Sequence, residues 1–87
     1  MIAAGKVIST ILNGINVQAE DILSAEKGTT ILTLQNCTSQ EWGLVGKAMA
    51  SLNHLHTLII QQCNTTSFLF QELVNCKSLQ ILHFRSS

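Results

Sequence analysis

The chain has 87 residues, room for one small domain, and 46% of them are hydrophobic against 11% charged, which excludes a disordered polymer. Five basic residues balance five acidic ones, leaving no electrostatic footprint for nucleic acid or an anionic membrane. No apolar run approaches the roughly 20 residues needed to cross a bilayer, and Ser9, Thr10, Asn13 and Asn16 interrupt the N-terminal apolar stretch, so no targeting segment is read there.

In chain order, the first segment admits two readings. Ile8, Ile11, Leu12 and Ile15 fall on one helical face, which would make residues 2–15 a capping helix. Alternatively, counting back by the interval that separates Leu58 from Leu82 sets Ile8 against Leu32, Thr10 against Leu34 and Asn13 against Cys37. Ala19, Leu23 and Thr29 then keep the spacing of Leu69, Leu73 and Leu79. The second reading, a degenerate first repeat over 1–28, is favoured, and residues 17–26 look helical under both.

Three strands follow. In Thr30 to Asn36, Thr57 to Gln62 and Ile81 to Arg85, apolar residues alternate with others at period 2, which predicts strands with one packed face. Leu32 and Leu34, Leu58 and Ile60, and Leu82 and Phe84 form the inward sets. After the first two strands the period changes: Trp42, Val45, Ala48, Met49 and Leu52, then Phe68, Leu69, Glu72, Leu73 and Cys76, lie three or four apart and predict helices. Thr38-Ser39-Gln40-Glu41 and Asn64-Thr65-Thr66-Ser67 supply oxygen-bearing side chains where these helices begin. Gly43 and Gly46 are expected to leave the middle helix short or irregular.

The segments are copies of one pattern. Leu55-x-x-Leu58-x-Ile60-x-x-Cys63 recurs downstream as Leu79-x-x-Leu82-x-Phe84-x-x-Ser87, and upstream, at a slightly longer interval, as Thr29-x-x-Leu32-x-Leu34-x-x-Cys37. This recurrence resembles the leucine-rich repeat family, closest to its ribonuclease-inhibitor-like or cysteine-containing cytoplasmic types. The resemblance implies a short right-handed α/β solenoid with a parallel inner sheet and outer helices. Residues 1–87 would hold about three repeats plus a terminal strand. It also implies a non-catalytic role in protein recognition or scaffolding, and it places Cys37 and Cys63 on an internal ladder, satisfying backbone groups at the bend after each strand.

The residues between the inward ones form the candidate protein-binding surface. With Leu32, Leu58 and Leu82 set in register they make three columns: Ile31, Thr57 and Ile81; Thr33, Ile59 and His83; Gln35, Gln61 and Arg85. Isoleucines rimmed by polar side chains have the character of a modest protein interface, although solvent-facing strand residues need no partner to account for them. Expected partners are a protein or the neighbouring repeats of a longer chain, with self-association through uncapped ends, because a terminal repeat leaves one packed face open.

Other chemistry is poorly supported. His54, His56 and His83 with three cysteines lack the paired spacing of a zinc site, so no metal is expected. Gly43-Leu44-Val45-Gly46-Lys47 is not a phosphate loop. The acidic residues are scattered, and Cys63 has no basic neighbour to lower its pKa, so neither enzyme activity nor a cofactor is expected. An odd number of cysteines suits a reducing, cytoplasmic setting, with Cys76, in the repeat slot that Leu52 fills one register earlier, as a small core residue. Asn36-Cys37-Thr38 and Asn64-Thr65-Thr66 would take glycans only in a secreted alternative. Trp42 is expected between successive bends, the alternative being a surface anchor.

Overall fold

A computed structural model of the chain describes residues 7–85; Lys6, Ser87 and the first residues of the alternative capping helix lie outside them. Seven elements alternate: β1 (Ser9–Asn13), α1 (Ala19–Leu23), β2 (Ile31–Gln35), α2 (Trp42–Ala50), β3 (Thr57–Gln61), α3 (Ser67–Leu73) and β4 (Ile81–Arg85). The strands form one parallel sheet in the order β1-β2-β3-β4, and α2 packs between α1 and α3. Parallel neighbours cannot be joined by a hairpin, so each helix serves as the crossover that returns the chain to the same end of the sheet.

Register follows the apolar alternation. Leu32, Leu58 and Leu82 are direct partners across β2, β3 and β4, as are Leu34, Ile60 and Phe84. A one-residue slip would turn every one of these side chains away from the core. The inward residues of β2 and β3 join Ile22 of α1, Val45 and Met49 of α2, and Leu69 and Leu73 of α3 in a single apolar cluster. The backbone bonds beside the strands repeat as well. Thr30 and Ile31 both donate to Ile8 O, His56 and Thr57 to Thr30 O, and Gln80 and Ile81 to His56 O.

Residues 9–13 are a strand, so the capping-helix alternative does not hold there, and the register of the first repeat is also corrected. Thr10, not Ile8, pairs with Leu32, and Leu12 pairs with Leu34; Asn13 lies opposite Gln35 and not on the cysteine ladder. The first interval is therefore shorter than the later ones. The reason is the helix side: α1 has five residues where α2 has nine, and the crossover as a whole is correspondingly shorter. A slip by an even step preserves strand parity, so Thr10 still points inward, where its hydroxyl meets Thr29 Oγ1 at 2.9 Å. On α1 the core residue is Ile22, and Leu23 is 61% exposed.

The middle helix also departs from expectation. α2 is regular over Trp42–Ala50 and is the longest of the three helices described. Gly46 is there for closeness rather than flexibility, because a Cβ at this position would lie 2.9 Å from Leu69 O and 2.8 Å from Glu72 Cβ. The residues at the N-cap positions of α2 and α3, Glu41 and Thr66, make no side-chain cap of their own. Instead Ser39 Oγ accepts from Glu41 N at 3.0 Å and donates to Val17 O at 2.6 Å, tying the start of α2 to the preceding turn. Glu41 in turn accepts from Ala19 N, the first residue of α1, at 3.0 Å.

Candidate functional site

Strand parity and parallel register together generate the outward face of the sheet. Ile31, Thr57 and Ile81 are aligned, as are Thr33, Ile59 and His83, and Gln35, Gln61 and Arg85, so all nine candidate residues come together in the three columns expected. The observed pairing of β1 with β2 adds Ser9, Ile11 and Asn13 to the same columns. Sequence reasoning left these three out because residues 1–15 stayed divided between a degenerate repeat and a capping helix, so no columns were extended into them.

Exposure differs along the face. Residues of β4 are all exposed and Ile11 of β1 is 62% exposed, whereas Ile59 and Gln61 are half-buried and Thr33 is buried. Ile11, Ile59 and Ile81 therefore offer apolar area in the middle and at both margins of the face. Gln35 Nε2 donates to Gln61 Oε1 at 3.2 Å, linking two members of one column.

Bends follow β1, β2 and β3 and tie each of them to the next strand. Gly14, Asn36 and Gln62, the residues immediately after β1, β2 and β3, all have left-handed backbones with φ of 70°, 53° and 55°. Glycine adopts this conformation freely, while Asn and Gln do so at a cost. The same three residues donate their N–H to the last carbonyl of the next strand: Gly14 N to Gln35 O, Asn36 N to Gln61 O and Gln62 N to Arg85 O, each 2.9 Å. Cys37 Sγ lies 3.2 Å from Gln35 O and 3.3 Å from Leu12 O, and Cys63 Sγ lies 3.3 Å from Gln61 O and 3.6 Å from Leu34 O. Cys63 Sγ also accepts from Cys37 N at 3.4 Å. Burial, the largest influence, pushes the Cys63 thiol above its ordinary pKa, the opposite of nucleophile activation.

Trp42 is buried, and its indole Nε1 donates to Asn64 O at 3.0 Å, which places it between successive bends and not on the surface. Cys76 is buried with its thiol 3.6 Å from Met49 O. All three cysteines are free. His56 is exposed beside Thr57, and among the described residues no group of three or more His, Cys, Asp or Glu side chains could hold a metal ion. A shallow cleft at the bends is lined by Asn36, Thr38, Gln62 and Asn64 with the two ladder cysteines. No helix among the described residues is long and apolar enough to cross a membrane. No family model matches this chain, and no curated protein or solved structure matches it.

Proposed function

We propose that this chain is a non-catalytic protein-recognition or scaffolding module, built as a short right-handed leucine-rich-repeat solenoid, with the outward sheet face as its contact surface. The observation that carries this reading is the coincidence of sequence and hydrogen-bond repetition. The shifts that superimpose Leu32 on Leu58 and Leu58 on Leu82 also superimpose the backbone acceptors Thr30 O and His56 O and the paired amides they take. Stacking of equivalent units leaves one columnar face whose side chains are free of the core. A cytoplasmic setting belongs to the same reading, because the interior uses Cys37 and Cys63 as thiols at the bends.

A second reading is favoured by a different observation. Leu82 and Phe84 are 44% and 48% exposed although they stand in register with fully buried residues, so a structural subunit could bury this end in an assembly or against further repeats. Photo-crosslinking in cells separates the two. A photoreactive residue replacing Ile59 should give protein adducts, whereas one replacing Leu44, exposed on α2, should not. Adducts from Phe84 with none from Ile59 would reject the sheet face in favour of the end.

A further inference from the structure

Charge is segregated in this molecule. None of the twelve residues at the outward positions of β1 to β4 is Asp or Glu. The five carboxylates all belong to the helix side and its turns: Glu20 and Asp21 on α1, Glu26 and Glu41 before β2 and α2, and Glu72 on α3. The sheet face carries Arg85, with His83 two positions before it on the same side of β4.

Polar geometry beside Arg85 points the same way. Gln61 is the direct cross-strand partner of Arg85, and its Oε1 is taken by Gln35 Nε2 from the β2 side. With its Oε1 engaged by Gln35, the Gln61 side chain has its Nε2 left to donate, at the register position next to Arg85. Two donors, an amide N–H₂ and a guanidinium, thus occupy neighbouring register positions, and a carboxylate, with several lone pairs and a full charge, is suited to accept from both. Next to this corner lie Ile59 and Ile81, offering aliphatic surface.

We infer that the sheet face takes a peptide segment of a protein partner in which an acidic side chain is flanked by aliphatic ones. Its carboxylate sits between Gln61 Nε2 and the Arg85 guanidinium, and its apolar neighbours cover Ile59 and Ile81. This rests on the reading of the sheet face as the contact surface, and sharpens it to one class of partner. The planar fork of arginine suits a carboxylate better than a lysine would at this position.

The test uses a displayed library of random dodecapeptides selected on the whole chain, with recovered peptides synthesised and titrated by fluorescence anisotropy. Selected peptides should be enriched in Asp or Glu next to Leu, Ile or Val. Arg85→Glu should weaken their binding at least tenfold, and exchanging the peptide acid for Lys should restore binding to that variant alone. Ile59→Asn, which removes aliphatic area without altering charge, should weaken binding of every selected peptide. Circular dichroism melts establish that both variants remain folded. Peptides without acid enrichment that respond to Ile59→Asn but not to Arg85→Glu overturn the acidic inference and leave the face intact as a binding surface. Failure to recover binders, or binders indifferent to both substitutions, overturns the inference together with the reading it rests on.

Discussion

The middle of the sheet and its β4 end use the same residue types in the same register and reach different ends. Leu58 and Ile60 are completely buried, whereas their partners one strand later, Leu82 and Phe84, keep nearly half of their surface exposed. The difference is the neighbour. Leu58 has β2 on one side, β4 on the other, and Leu69 and Leu73 in the same core, while Phe84 is left with an edge-on contact to Phe70 at 5.3 Å between ring centroids. An apolar signature thus specifies where a side chain points, and stacking decides how much stabilisation that direction yields.

The largest effect that sharpens this contrast is a pair of truncations. Leu58→Ala should cost about 2–5 kcal/mol, the range for deleting a fully packed leucine, and Leu82→Ala less than about 1 kcal/mol because solvent already reaches it. Urea unfolding of the two variants measures this, and equal losses would abolish the distinction between middle and end. Next in size is a pair of glycines on α2. Gly46→Ala should destabilise by about 1–3 kcal/mol, since its new methyl meets the Leu69 carbonyl, a backbone atom that cannot rotate away. Gly43→Ala meets only Phe68 Cβ at 3.6 Å and should stabilise by up to about 1 kcal/mol through helix propensity. Thermal melts of the two variants should therefore shift in opposite directions.

Smaller effects probe the bends. Trp42→Phe removes the donor to Asn64 O and should cost about 1 kcal/mol in denaturant titrations, with the wild-type indole emitting at short wavelength and resisting acrylamide quenching. The smallest concerns Cys63, whose thiol is held above its ordinary pKa chiefly by burial. The unfolded chain releases this proton first. The contribution is therefore intact below the unfolded thiol's pKa and declines as pH rises from there through the folded value. Cys63→Ser should flatten the alkaline side of the stability profile, and a profile unchanged by that substitution would show that burial of this thiol has no energetic consequence.

Much of the architecture could be read from the chain because its information was written twice. Period 2 located β2, β3 and β4, and the recurrence of Leu32 as Leu58 and Leu82 then aligned them, so Ile31 to Arg85 could be sorted into columns without coordinates. The first repeat resisted for two physical reasons. Its inward Thr10 is polar and is satisfied by Thr29, a pairing invisible to an apolar pattern, and its crossover is shorter than the others. Ser9, Ile11 and Asn13 were lost from the candidate face with it. Gly46 misled in another way, since propensity treats any mid-helix glycine as a weakness, and only the approach of α3 reveals what an added Cβ would strike. The single-sign charge of the face needed the register before it could be noticed.

The interval between successive strands is shortest from Thr10 to Leu32, longest from Leu32 to Leu58 and intermediate from Leu58 to Leu82. The rungs from Gly14 to Gln35, Asn36 to Gln61 and Gln62 to Arg85 nevertheless have the same length. Variation in chain length is thus absorbed behind the sheet, where the crossovers lengthen or shorten, and does not propagate to the strands. A short epitope or fluorophore-bearing loop grafted at Asn53, which is exposed between α2 and β3, should be accommodated in the same manner. The molecule is in this sense a ruler whose graduations stay fixed while its backing is cut to different sizes.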